Sequence, residues 1–137
     1  KPNDTIILES TSPVGTTESI YKTLKSKKIN LESVYIAYCP ERVLPGKTLS
    51  ELISNSRIVG GINEISSVKA AEFYKSFITG TIKTTDSKTA EMCKLTENSF
   101  RDVNIAFANE LSMICEKEDI NVLELINLTN KVVELLY

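Results

Sequence analysis

The sequence predicts an α/β fold, with a partial doubly wound parallel sheet over residues 1–85 and a helical domain with one long helix over residues 86–137. Three observations predict it. Short apolar runs alternate with helix-period segments from Thr5 to Thr85, the pattern of parallel strands joined by crossover helices. The alternation stops near Asp86 without a flexible linker. From there an uninterrupted helical pattern runs past Glu116, roughly 45 Å long at about 1.5 Å per residue.

The elements follow in order. "TIILES" (residues 5–10) is an isoleucine-rich run ended by polar residues and reads as a buried strand. In "TSPVG", Ser12 is a candidate N-cap and Pro13 suits the first helical position, so a helix is expected through "TTESIYKTLKSKK". "SVYIAYCPE" reads as a second strand, stopping at Pro40. Turn residues in "LPGK" precede a short helix at Thr48–Ile53, and "RIVGG" is a third strand ended by glycines. Asn63 is a cap candidate for a helix that places Val68, Ala71 and Phe73 or Tyr74 on one face. "GTIKTT" is the fourth strand. Asp86 or Ser87 caps the long helix, and "DINVLELINLTN" adds a short helix starting near Asp119.

Composition excludes several classes. The 137 residues carry 42% hydrophobic and 25% charged side chains, the balance of a globular protein. Sixteen basic and 18 acidic residues give a net charge of −2, against bulk electrostatic binding of nucleic acid. No run of about 18 apolar residues exists, so no membrane span is expected. The N-terminus shows no charged-then-apolar leader. With three widely spaced cysteines, Cys39, Cys93 and Cys115, this leads us to expect reduced thiols and a cytoplasmic setting. There is no histidine, no CxxC and no HExxH, so neither a Ser-His-Asp triad nor a zinc site is expected. Acid–base chemistry must come from Glu, Asp, Lys, Tyr or Cys.

On the long helix, Met92, Cys93, Phe100, Val103, Phe107, Leu111 and Ile114 share one broad face, expected to be buried in the domain or against a partner subunit. Glu91, Lys94, Asn98, Arg101 and Asp102 lie opposite. A solvated stripe explains that second face. Yet Ile105 and Ala108 also follow it, and Lys94, Asn98 and Arg101 at i, i+4 and i+7 suit an anionic, oxygen-rich ligand. "SPVG" sets a hydroxyl and a helix start at the carboxyl end of a strand, where open α/β sheets bind ligands; a plain capped turn explains it equally. Glu41, between Pro40 and Pro45, is either a general base or an ordinary surface carboxylate. Cys39 sits on an apolar strand and reads as a buried, inert thiol, as do Cys93 and Cys115 beside the apolar face. Gly60–Gly61 ends a strand, but no GxGxxG cradles a pyrophosphate.

"ESTSPVGTTE", "YCPERVLPGKTLSELISNSRIVGG" and "TAEMCKLTENSFRDVNIAFANEL" together resemble the UDP-glucose/GDP-mannose dehydrogenase family, over nearly the whole chain to about Asn130. The tail "KVVELLY" departs from the family's usual continuation. "PERVLPG" and "KLTENSFRDVNIAFANE" are nearer its branch for N-acetylated sugars than the UDP-glucose branch.

The resemblance implies a Rossmann-like second half of an NAD-binding domain, then a central helical domain that forms a homodimer through the long helix. It implies NAD-dependent oxidation of a UDP-sugar primary alcohol to the uronic acid in two steps, supplying precursors of surface polysaccharides. A cysteine traps the aldehyde, and the thioester is hydrolysed. UDP-N-acetyl-D-mannosamine is the expected substrate and UDP-glucose the alternative. The family's Gly-rich loop and nucleophilic cysteine are expected outside Lys1–Tyr137, so the chain alone is expected to be inactive, and a non-catalytic dimerisation fragment is a second reading. A hydroxyacid dehydrogenase of similar plan is a third, opposed by "PERVLPG".

By motif match, the resemblance makes Lys94 the lysine that stabilises charge on the substrate oxygen, and Asn98 a holder of sugar or catalytic water. Arg101 binds the anionic or acetamido region, and it replaces a residue that is apolar in the UDP-glucose branch. Glu41 is the candidate base for thioester hydrolysis, and Arg42 and Val43 line the sugar site. Thr11 lies near the nicotinamide end of NAD. A partial sheet leaves an edge strand and an apolar face uncovered, so self-association is expected.

Overall fold

The structure, a computed structural model, describes residues 3–42 and 48–133. Two compact units divide at Leu95 and Thr96, inside the long helix. The first holds a four-stranded sheet in the order β1 (Thr5–Leu8), β2 (Tyr35–Tyr38), β3 (Arg57–Gly61), β4 (Ile82–Asp86). Helices α1 (Thr16–Ser26), α2 (Thr48–Ser54) and α3 (Glu64–Lys75) lie between successive strands. The alternation read from the sequence is therefore the observed order.

One strand pair departs from the all-parallel expectation. β1–β2 and β3–β4 are parallel, but β2–β3 is antiparallel, with Ala37 opposite Gly61 and Tyr38 opposite Gly60. The cause lies in the connection. A parallel crossover must carry the chain back along the full sheet. Here Asn55 Nδ2, two residues before β3, donates to Arg42 O, four residues after β2, at 2.7 Å. The two ends of the link meet at one edge, so β3 begins where β2 finished.

The core is Ala37, Cys39, Val59, Ala70, Tyr74 and Ile78, with Ile7 and Ile82 packed beside it. α3 starts where expected, with Asn63 Oδ1 accepting from Ser66 N at 2.8 Å. Its buried face differs from the expected one. Ser66, Ser67, Ala70, Ala71 and Tyr74 are buried, whereas Val68 and Phe73 are exposed. Small residues let α3 approach the sheet, and Phe73 instead stacks edge-on with Tyr74 and Phe77 outside it.

Adjacent residues of a strand point to opposite faces, and Gly60–Gly61 uses both. A Cβ on Gly60 would lie 2.6 Å from Ala90 Cβ and 2.3 Å from Asp86 O. A Cβ on Gly61 would lie 2.4 Å from Ser67 N. The pair thus admits the start of α4 (Ser87–Lys117) on one face and the start of α3 on the other.

α4 is one continuous helix of 31 residues. Asp86 caps it, accepting from Thr89 N at 2.9 Å and Thr89 Oγ1 at 2.6 Å. Those bonds, the hydroxyl's first, hold the Asp86 carboxyl below its ordinary range. In its first turns the buried side chains are Ser87, Ala90 and Glu91, not Met92, which is 56% exposed. The start of the helix therefore meets the sheet through Ala90, beside Gly60, and Met92 is turned to solvent.

The second unit holds the rest of α4 and α5 (Val122–Val133). Asp119, with φ 55°, turns the chain, and Asn121 Oδ1 caps α5 by accepting from Leu123 N and Glu124 N. Cys115 is buried, but Phe100, Val103, Phe107 and Ile114 are exposed, so that stripe is not buried within the chain itself. One neighbouring helix of 12 residues covers too little of α4 to bury a stripe of that width. Among the described residues no helix is long and apolar enough to cross a membrane, and no cluster of potential metal ligands occurs.

Candidate active site

The site residues expected in the first unit gather from three chain segments, two of them at one edge of the sheet. β1 and β2 run in register to Leu8 and Tyr38. Past both ends the backbones stay joined: Cys39 N donates to Leu8 O at 2.9 Å, and Glu41 N to Glu9 O at 3.2 Å. Thr11 and Glu41 therefore leave the same edge of the sheet, and both are exposed. Arg42 is half-buried, and its carbonyl is the one held by Asn55. Val43 lies outside the described residues.

Beneath this edge Cys39 and Tyr74 are buried. Burial pushes the Cys39 thiol up to about 11, and Tyr74, also raised first by burial, donates its hydroxyl to Glu9 Oε1 at 2.6 Å. Cys39 is therefore a packed thiol, buried as its strand position led us to expect. Cys115 is buried too, and Cys93 is half-buried.

The turn after Thr11 corrects the expected cap. α1 begins at Thr16, not Pro13, and its N-cap is Gly15 at φ 94°, with no side-chain cap of its own. Ser12 Oγ bonds Ser10 O instead, and "SPVG" closes a turn through Thr16 N to Pro13 O at 3.2 Å. A left-handed residue is needed to leave that turn, and glycine adopts it without steric cost.

The orphan amides of α1 are capped from a distance. Glu91, on α4, is fully buried. Its Oε1 accepts from Thr17 N at 2.8 Å and Thr17 Oγ1 at 2.7 Å; its Oε2 accepts from Gly15 N at 2.5 Å. The positive end of α1 offsets the buried negative charge. That charge also acts on Tyr38, whose hydroxyl is raised first by burial and then by Glu91. The sequence reading had put Glu91 on the polar face of α4. The signal available was a helix start without a capping side chain of its own, which requires an acceptor from elsewhere.

Lys94 follows Glu91 by three residues and Ala90 by four on the same helix, and it is half-buried. Asn98 and Arg101 come next on the same unbroken helix, half-buried and exposed respectively, and belong to the second unit. In the first unit the structure thus brings Thr11 and Glu41 to one edge, and Glu91 ties the turn after Thr11 to the helical turn of Lys94.

Known proteins share this fold. Residues 1–78 match the NAD binding domain of the UDP-glucose/GDP-mannose dehydrogenase family, and residues 88–134 match its central domain. A UDP-N-acetyl-D-mannosamine dehydrogenase of Escherichia coli (strain K12) is 56% identical over 135 residues, covering 92% of this chain and 32% of that protein. One from Methanococcus maripaludis is 53% identical over 131 residues, covering 96% and 29%. The solved structure of a UDP-D-ManNAc dehydrogenase from Pyrococcus horikoshii matches with a TM-score of 0.89 at 46% identity, covering 93% of this chain and 31% of that one. The chain spans about a third of the length of the curated relatives it matches. With the first of these family matches alone covering more than half of its residues, the chain belongs to the UDP-glucose/GDP-mannose dehydrogenase family.

Proposed function

We propose that this chain is part of an NAD-dependent enzyme that oxidises the primary alcohol of UDP-N-acetyl-D-mannosamine to the uronic acid. The observation that carries the proposal is the 56% identity to a UDP-N-acetyl-D-mannosamine dehydrogenase over 92% of the chain. The domain division near residue 86, a cytoplasmic setting and a homodimer through α4 belong to the same proposal. The exposed stripe of Phe100, Val103 and Phe107 supports the dimer.

The residues of this chain fit one end of the cofactor. The amides at the start of α1 are filled by Glu91, so that turn offers no cradle for a pyrophosphate. The exposed Thr11 hydroxyl is free to meet the nicotinamide end. NAD, when bound, accepts the hydride.

Lys94 holds its ammonium toward the substrate oxygen and stabilises negative charge as it develops there, favouring the transition state over the ground state. Asn98, one helical turn on, positions the sugar or a water, and Arg101 takes the anionic or acetamido region. Glu41 serves as the base for thioester hydrolysis, with Arg42 and Val43 lining the sugar. None of Cys39, Cys93 or Cys115 takes the nucleophile's place.

The test is NADH formation by the full-length protein with UDP-N-acetyl-D-mannosamine. Lys94→Ala should lower kcat by about 10²–10³, the usual cost of one lost oxyanion donor. Turnover unchanged in that variant would return the Lys94 face to plain surface.

A further inference from the structure

Resting on the dehydrogenase reading above, we infer that Glu91 is a positioning residue for this reaction: its buried carboxylate fixes the Thr11 turn and the Lys94 helical turn in one geometry. The inference comes from how three hydrogen bonds are distributed. They join two segments that are 74 and 76 residues apart in sequence. On one side they hold Gly15 and Thr17, so the turn that leaves Thr11 is anchored within four residues of it. On the other side Glu91 precedes Lys94 by three residues on a continuous helix. A displacement of either segment must stretch the same carboxylate.

The chemistry of the three donors defines the side chain needed. Gly15 N–H, Thr17 N–H and Thr17 O–H all point at two oxygens, which a carboxylate accepts in full. Glutamine has the same reach but one acceptor oxygen. Its amide hydrogens would confront a backbone N–H inside a fully buried site. Aspartate has the charge but is one methylene short of spanning both Gly15 and Thr17.

A residue that only supports folding changes how much active enzyme there is, not the turnover of each folded molecule. A positioning residue changes kcat. The full-length protein is therefore compared as wild type, Glu91→Gln and Thr17→Val by two readings. The first is steady-state NADH formation with UDP-N-acetyl-D-mannosamine, per folded active site. Glu91→Gln should lower kcat about tenfold or more with KM for the sugar nucleotide changed less than about threefold, because the interaction lost acts in the transition state. Thr17→Val, which removes one donor of three, should give a smaller loss in the same direction. The second reading is backbone hydrogen exchange. Amides in the segment 11–19 should exchange faster in Glu91→Gln, while β3 and α3 stay as in wild type.

A wild-type kcat in folded Glu91→Gln, or a loss carried by KM alone, overturns the positioning role. Should Glu91→Gln yield no folded protein, the same reading of Thr17→Val decides, and an unchanged kcat overturns it. A wild type that forms no NADH from any UDP-sugar overturns the dehydrogenase reading instead. Exchange then judges the tie by itself, and unchanged protection at 11–19 in the variants overturns it.

Discussion

Thr17 and Glu91 share two hydrogen bonds on a single oxygen: Oε1 of Glu91 accepts from Thr17 N at 2.8 Å and from Thr17 Oγ1 at 2.7 Å. Both residues are fully buried, so no water competes for these bonds. Hydrogen bonds to charged groups contribute about 1.5–3 kcal/mol each, more than neutral ones. Thr17→Val keeps the volume and the backbone bond but loses the hydroxyl. We expect it to destabilise the fold by about 1.5–3 kcal/mol, read as a lower urea midpoint at unchanged slope. Thr17→Ser, which keeps the hydroxyl, should lose less. Equal midpoints for Thr17→Val and wild type would mean the hydroxyl bond contributes nothing net.

Local features were legible in the sequence, and distant pairings were not. The isoleucines of "TIILES", the glycines after "RIV" and the cap at Asn63 act within a few residues, and each marks an element the structure contains. The antiparallel β2–β3 pair was not legible. A connection of known length does not reveal that Asn55 will bond back to Arg42. Glu91 was misplaced for the same reason. Periodicity assigns a glutamate to the wet face, and only the uncapped amides at Gly15 and Thr17 reverse that assignment. The same reversal explains α4. In its first turns Ala90 is small enough to meet Gly60 and Glu91 turns inward to Thr17, while Met92 stays exposed. Of the candidate site, Lys94 and Glu41 were picked out by spacing and position, Thr11 by motif resemblance, and Glu91 was read only as part of the polar face.

Gly60 and Gly15 should respond to alanine by different mechanisms and in a fixed order. At Gly60 a Cβ collides with Asp86 O, a backbone atom, and with Ala90, so β4 and α4 must both shift. Overpacking of this kind costs about 1–3 kcal/mol. At Gly15 nothing lies within 4 Å of the new Cβ, and the cost is the left-handed φ of 94° alone, about 1–2 kcal/mol. Gly60→Ala is therefore expected to lower the thermal midpoint at least as far as Gly15→Ala. The reverse order, measured side by side by calorimetry, would place the strain in the turn and not in the sheet–helix contact.

Acid should weaken the start of α4. The carboxyl of Asp86 is held below its ordinary value of 3.8 by the Thr89 hydroxyl and then by the Thr89 amide. A depressed folded value means the unfolded chain takes up the proton first as pH falls. The contribution is fully present well above pH 3.8 and is lost as pH drops through the lower folded value. Asp86 is exposed, so solvent screening keeps the effect small. Urea midpoints measured from neutral pH downward should show wild type losing more stability than Asp86→Asn across that acid window. Parallel profiles would remove Asp86 from the acid response.

Arg101 gives the sharpest test of sugar preference. It continues the α4 face of Lys94 and Asn98, and it is exposed in this chain, so its substitution leaves the described packing intact. Its guanidinium carries five donors in a planar fork suited to oxygen-rich groups. A contact of that kind to an acetamido oxygen, once lost, costs about 1–3 kcal/mol of transition-state binding. Arg101→Leu in the full-length protein should therefore lower kcat/KM for UDP-N-acetyl-D-mannosamine about tenfold or more. It should leave kcat/KM for UDP-glucose, which has no acetamido group to lose, nearly unchanged. Equal losses on both sugars would assign Arg101 to the shared nucleotide. Unchanged kcat/KM on both would take Arg101 out of the substrate site, leaving the selection of an N-acetylated sugar to residues elsewhere in the protein.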